Sequence, residues 1–214
     1  MGGSPMRFPP ETSVIRSAGL KLNLGCGRDY RPGWINVDFN RTIRADVYST
    51  FTEGLPFADN SVDLVVLDNV LEHVHRDRYF AFLDDLHRVC KPGAIIQIWV
   101  PHASGMWALK HPTHYNFFGI GSFSTFQPEA QFNGERYGAA RFRVRQERLL
   151  FFHHNLINAK FLSRLPINGL FNFGGLLWQE LMERFQFLGF DEIHFELEVA
   201  KGGSYHREFV DDPE

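Results

Sequence analysis

Apolar positions in this chain follow two rhythms. Short apolar runs bounded by turn residues predict strands at 20–24, 34–37, 45–48, 62–67 and 94–100. The last two are almost continuously apolar, as expected of strands whose sheet is covered by helices on both faces. Between them Tyr79, Phe82, Leu83, Leu86, Val89 and Cys90 recur at three- and four-residue steps. That spacing puts one apolar stripe on a helix, which Lys91-Pro92-Gly93 is expected to stop. Strand, helix, stop, strand predicts a right-handed parallel crossover, and so a parallel sheet that takes ligands at the carboxyl edge of its strands. Farther on, 141–152 alternates as a strand. Residues 176–188 place Leu177, Trp178, Leu181, Met182 and Phe185 on one helix face, and Gly189 is expected to cap that helix. Residues 190–200 alternate Ile193, Phe195, Leu197 and Val199 as a last strand, expected to run antiparallel beside 141–152. The class is α/β, with a mostly parallel sheet and an antiparallel last strand. One conflict stands: a parallel crossover normally needs a dozen or more residues, and neither Gly25 to Trp34 nor Asn40 to Arg44 has room for a helix.

A chain of 214 residues suits one domain with a substantial core. The expected layout is a flexible leader over 1–18 and a single domain over 19–214, with 101–175 as an elaboration that binds the second substrate. The 22 phenylalanines, mostly after Tyr79, read chiefly as core. A formal net charge of -3 offers no basic domain to nucleic acid, so no such partner is expected. Two cysteines make no disulfide framework, no run reaches 18 apolar residues, and the start lacks a secretory apolar region. Met6 stands where myristoylation needs Ser or Thr. A cytoplasmic home is the expectation, with contact at a membrane surface through the apolar 151–178 stretch held as the minor reading against packing on the sheet. Oligomeric state is left open.

The densest chemical signal is Leu22-Asn23-Leu24-Gly25-Cys26-Gly27 followed by Gly33-Trp34-Ile35-Asn36-Val37-Asp38. A strand enters two glycines that can turn sharply and expose backbone polar groups, and the next strand ends on an acid able to accept from both hydroxyls of a ribose. A dinucleotide dehydrogenase needs a third glycine where Tyr30 stands, and its ribose acid about 20 residues on, so Asp38 comes too early for it. These residues resemble the class I S-adenosylmethionine-dependent methyltransferases, in particular the type 11-like group, over the first half of the chain to Pro101. The resemblance implies a Rossmann-like, three-layer fold with S-adenosylmethionine as cofactor. It assigns the Gly25, Cys26 and Gly27 loop, with Asn23, to the amino acid end, Asp38 to the ribose, Asp46 and Val47 to the adenine rim, and Asp68 and Asn69 to the floor beside the methionine moiety. Asn23 replaces the acid commoner in the family, which bears on affinity rather than on cofactor identity.

Methyl transfer needs mainly positioning, worth about 7–11 kcal/mol in near-attack geometry. The remaining demand is a base, and histidine's pKa of about 6.5 suits it. His114 is the first candidate. It lies in His-Pro-Thr-His-Tyr-Asn-Phe-Phe, which resembles the substrate-side loop of related methyltransferases. His102, just past the fifth strand, is the second. Leu71-Glu72-His73-Val74 resembles another family element and is expected to support structure. His111 and His114 have ligand character, but spacing fixes no third ligand, so no metal is expected. Arg141, Arg143 and Arg145 would share one strand face, open to an anionic acceptor or simply solvated. The expected activity is methylation of oxygen, in preference to nitrogen, on a small-molecule or glycan-like acceptor. The alternative is a non-catalytic cofactor-binding or partner-binding protein of the same fold.

Overall fold

The structure, a computed structural model, describes residues 19–51, 54–130, 138–150, 172, 174–184 and 190–202. Its strands are β1 (Leu20–Leu24), β2 (Ile35–Asp38), β3 (Val47–Tyr48), β4 (Val62–Asp68), β5 (Cys90–Pro101), β6 (Phe142–Leu150) and β7 (Glu192–Val199). The helices are α1 (Arg76–Val89), α2 (Met106–Lys110) and α3 (Gly175–Arg184), joined by single 3-10 turns at Leu71–His73 and Ser124–Phe126. The expected leader, and most of the 151–178 stretch, lie outside the described residues.

The strands form one seven-stranded sheet in the order β3-β2-β1-β4-β5-β7-β6. β1 pairs parallel with β2 and β4, β2 with β3, and β4 with β5. β7 alone is antiparallel, lying between β5 and β6, so Phe195 faces Ile98 on one side and Glu147 on the other. This is the expected mostly parallel sheet with its antiparallel last strand. Helix α1 carries the predicted stripe and buries Phe82, Leu83, Leu86 and Val89. Lys91-Pro92-Gly93 does not open a loop as the stop signal suggested, because Cys90 ends the helix and already belongs to β5, and Gly93 takes φ 78° within the strand.

The short connections before β2 and β3 carry no helix. A polar clasp takes its place. Buried Asn23 donates through Nδ2 to the Asp29 carbonyl at 2.6 Å and to Asn36 Oδ1 at 3.0 Å. Asn36 Oδ1 also accepts from the Arg31 amide, and Asn36 Nδ2 donates to Asp46 Oδ2 at 2.9 Å. Lys21 and Arg31 lie against the Trp34 ring at 5.6 and 5.4 Å. Side-chain bonds to backbone can hold a loop where a helix ladder is missing, and here they fix the approach of β2 to β1. On the other side of the sheet the phenylalanines are core. Phe118, Phe123, Phe126, Phe142, Phe190 and Phe195 are all buried, with Phe123 and Phe195 edge to face at 4.8 Å.

Candidate functional site

Both functional edges lie where strand ends meet. At the end of β1, Gly25 and Gly27 take φ 63° and 50°, left-handed angles that side-chained residues rarely adopt. A Cβ on Gly25 would stand 2.4 Å from Val70 Cγ2, whereas beside Gly27 only the Gly25 carbonyl oxygen comes within 4.0 Å. The first glycine is thus needed for packing and the second leaves an open approach. Asp38, at the end of β2, is buried. Its Oδ2 accepts from the Gly27 amide and its Oδ1 from the Asn40 amide, each at 2.8 Å. An ionised carboxylate offers about four acceptor positions, so two remain for a ligand's hydroxyls. Next to this turn opens a cavity of about 430 Å³ lined by Gly27, Tyr30, Asn40, Thr42, Ile43 and Arg44, among others. That volume is within the range of small-ligand sites, and open backbone beside a carboxylate fits the ribose and amino acid ends of S-adenosylmethionine.

Other residues assigned to this edge hold it together. Asn23 turns its amide into the clasp, so its missing acid is a feature of loop construction. Asp46 accepts from the Asn36 amide at 2.8 Å, from Asn36 Nδ2 and from the Tyr30 hydroxyl at 2.9 Å, and these bonds lower its pKa. Val47 follows it in β3, paired with Val37. The Cys26 thiol is buried and pushed up to about 11, first by burial and then by Asp38 and Asp46, so it stays protonated. Asp68 ends β4. Asn69, at φ 54°, donates to Asp68 Oδ1 at 2.7 Å. The following turn is capped by Val70 without a side-chain bond, so neither residue serves as its cap.

The second edge centres on a cavity of about 200 Å³, lined by Asn69, Glu72, His73, Trp107, His111 and His114 with Pro101, Asp191 and Glu192. It is assembled by stitching one segment onto another. The Glu72 carbonyl accepts from the Tyr115 amide at 2.8 Å, Asn116 Nδ2 donates to the carbonyls of Leu71 and Val74, and Arg76 Nε donates to the Tyr115 carbonyl at 2.7 Å. These bonds carry His73 to the histidines of the 111–114 loop. The His73 ring lies 5.4 Å from that of His111 and 4.7 Å from that of His114, and the latter two stack at 4.7 Å. His114 Nδ1 donates to the Ala108 carbonyl at 3.1 Å, leaving Nε2 as the acceptor nitrogen. Burial, with His111 adding, lowers its pKa, so the ring is neutral near pH 7.

His102 is placed differently. It is 1% exposed, its Nδ1 lies 2.7 Å from the Ser104 hydroxyl, its ring meets Phe190 edge-on at 5.4 Å, and it lines neither cavity. Glu72 proves more than a strut. It is 1% exposed, and neither carboxylate oxygen has a hydrogen-bond partner among the described residues. Its pKa is pushed up to about 8 by burial, against the pull of its own backbone amide, with smaller upward pushes from the Asp68 and Glu192 charges. No spacing rule could join His73 to His111, since 38 positions separate them; the motif-like Glu72-His73 pair was the one available signal. The arginines on β6 are engaged elsewhere: Arg143 and Arg145 both pair with Glu198, and buried Arg141 donates to the carbonyls of Gly138 and Ala140.

Comparison with known proteins agrees with this geometry. Residues 27–98 match the family model described as a methyltransferase domain. A comparison with curated proteins found no match. Among solved structures, a SAM-dependent methyltransferase from Archaeoglobus fulgidus is 17% identical with a TM-score of 0.50, covering 84% of this chain and 86% of its own. The complex between the Haloferax volcanii Trm112 methyltransferase activator and the putative methyltransferase gives 16% identity and a TM-score of 0.54, over 90% of this chain and 86% of that one. The [4+2]-cyclase SpnF gives 14% and 0.52, over 88% and 77%. Likeness at such identities speaks for the fold, and the domain match runs from Gly27 through Asp38 and the β4–α1 crossover into β5. The domain match over residues 27–98 and this topology support a methyltransferase domain in this chain, on a fold it shares with S-adenosylmethionine-dependent enzymes.

Proposed function

We propose that this protein methylates an oxygen atom, in preference to nitrogen, of a small-molecule or glycan-like acceptor seated in the 200 Å³ cavity at the ends of β4 and β5. The observation that supports this most is the placing of His114: its Nδ1 is tied to Ala108, and its ring lines the same cavity as Asn69. When bound, the cofactor supplies a methyl group on a sulfonium that departs as a neutral thioether. Gly27 and Asp38 would hold it, Asn69 lines the acceptor cavity at the end of β4, and His114 Nε2 would take the proton that the acceptor hydroxyl loses. A neutral imidazole fits that task, since its lone pair is free at working pH. The segment from 101 onward supplies His111, His114 and Trp107, in keeping with an acceptor-binding elaboration.

The test is calorimetry with S-adenosylmethionine and its demethylated product. The expected result is stoichiometric binding of both. Asp38→Ala should weaken it about 10–100-fold, which is about 1.4–2.8 kcal/mol. Absence of heat with either ligand would remove the proposal. A binding protein without turnover is the second reading, favoured by one particular: His102, the second candidate base, is sealed in the core. Binding with no methylation across hydroxyl and amine acceptor panels would favour it.

A further inference from the structure

Three imidazoles, a buried carboxylate and a cavity meet at one point. One ring nitrogen from each of His73, His111 and His114 lies within 4.8 Å of the others. We propose that these three histidines bind a divalent transition-metal ion of the zinc class, with Glu72 as its anionic neighbour and the open coordination position facing the cavity. The proposal stands on geometry and does not depend on the methyl-transfer reading.

Metal-binding histidines characteristically donate their other ring nitrogen to a carbonyl or carboxylate, which fixes tautomer and ring direction. That arrangement is already built here. His73 Nδ1 lies 3.1 Å from the Thr113 carbonyl and His114 Nδ1 lies 3.1 Å from the Ala108 carbonyl. A carbonyl can only accept, so both Nδ1 atoms carry the hydrogen and both Nε2 atoms keep a lone pair. The Thr113 hydroxyl sits 2.8 Å from His73 Nδ1 and 2.9 Å from His111 Nδ1, so it ties the two rings together, and when it accepts from His111 Nδ1 it leaves His111 Nε2 with a lone pair. His73 Nε2 is directed toward the carboxylate, 3.9 Å from Glu72 Oε1.

Glu72 is the independent observation. A carboxyl group that is 1% exposed with neither oxygen hydrogen-bonded among the described residues is an unmet polar demand, since buried polar groups are normally hydrogen-bonded or coordinate metal. An ion on the three histidines would supply that partner. A tetrahedral ion with bonds of about 2.0–2.1 Å sets its ligands about 3.4 Å apart, so the set closes with shifts of about 1 Å, which exposed His73 and His111 can make. Three imidazoles select zinc and its late-row neighbours over magnesium or calcium. Three protein ligands with a free fourth position is the pattern of catalytic rather than structural sites. If methyl transfer also stands, His114 Nε2 would serve as ligand and not as base, and an ion there would lower the pKa of the acceptor hydroxyl so that its proton leaves to solvent water.

The experiment is equilibrium dialysis of the full chain against Zn2+, read by elemental analysis, with Co2+ substitution read by visible absorption. One bound equivalent is expected, with the intense spectrum of a four-coordinate site. His111→Ala, exposed and outside the core, and His114→Gln should each weaken binding beyond the about 10–100-fold that loss of an outer partner costs. Glu72→Gln should weaken it less, and His75→Ala, on the same surface, should leave it unchanged. Circular dichroism of each variant separates lost ligation from lost folding. Sub-stoichiometric binding to the native chain, or full binding in both folded His111→Ala and His114→Gln, overturns the proposal. Because Zn2+ binding is read without cofactor or acceptor, its failure is distinct from failure of methyl transfer.

Discussion

Asp38 closes β2 and Glu72 lies in the turn that follows β4; both are nearly sealed from water, at 4% and 1% exposure, and they sit in opposite circumstances. Asp38 accepts two backbone amides from its own neighbourhood, Gly27 and Asn40. Glu72 accepts none among the described residues, and the His73 ring nitrogen Nε2 stands 3.9 Å from its Oε1. The same contrast runs through each edge. Around the Asp38 carboxylate the side-chain partners come from within 23–46, and bonds to Asn36 and Tyr30 hold Asp46 ionised. Around Glu72 the partners come from 71–76 and 108–116, brought together only by the fold, and burial drives groups toward their neutral forms: Glu72 up, His73 and His114 down. One edge is complete before its ligand arrives. The other leaves a buried carboxyl group without a partner among the described residues, and a bound cation would supply one.

The largest effect is expected where the complete edge has least freedom. Gly25→Ala meets the left-handed angle, at about 1–2 kcal/mol, and Val70, for which overpacking costs about 1–3 kcal/mol. A loss of about 3 kcal/mol in urea unfolding, and at least a tenfold loss of cofactor affinity by calorimetry, are expected. Adding Val70→Ala should restore the packing share and leave the backbone share. If Gly25→Ala binds cofactor normally, the turn is not the seat and the contrast between the edges fails.

How much of each edge was legible follows from that contrast. The glycine turn and Asp38 lie within 14 residues, so spacing alone carried them, and the α1 stripe was equally readable because helix periodicity is local. The antiparallel pairing of β6 with β7 could be read from their alternation. The clasp could not, because a reader sees too few residues for a helix and has no rule for the Asn23–Asn36–Asp46 bonds that replace one. Asn23 itself looked like a weakened cofactor ligand. Nor could the histidine cluster be read, since His73 meets His111 and His114 through tertiary bonds that Thr113, Tyr115 and Asn116 make to the 71–76 segment. His102 shows the opposite error: its position after β5 suggested the cavity, and the rotation of the chain there, with Ser104 and Phe190 around the ring, put it in the core.

A pH effect of intermediate size sharpens the electrostatic side of the comparison. His194 on β7 stacks on Trp99 at 4.1 Å and is 6% exposed; burial, with Arg148 adding, lowers its pKa to about 4. Between 6.5 and 4 the unfolded chain binds a proton that the folded chain refuses. The stability is therefore present above pH 6.5 and lost as pH falls toward 4, with a ceiling of about 3 kcal/mol. Glu72 acts with the opposite sign, since its raised pKa favours folding as pH falls from about 8. The measurement is therefore a difference: the pH 7.5 to 5 drop in unfolding free energy should be smaller in His194→Phe, which keeps the stack, than in the native protein. Equal drops would mean that His194 is protonated in the fold.

The smallest effect isolates the assembly step. Asn116 touches no ligand in either reading, yet its Nδ2 reaches the Leu71 carbonyl at 3.1 Å and the Val74 carbonyl at 2.6 Å, fastening the 111–116 loop to the turn that carries Glu72 and His73. Asn116→Ala leaves two carbonyls without that donor, at a cost of about 1–3 kcal/mol to folding. Because the glycine turn shares no bond with this loop, cofactor affinity should stay within about twofold, a fraction of a kcal/mol. Turnover and Zn2+ affinity should fall together, since both need His73, His111 and His114 held in register. A variant that loses cofactor binding as well would show that the two edges are coupled through β4. A variant that keeps all three functions would show that the Tyr115 and Arg76 bonds suffice to hold the loop.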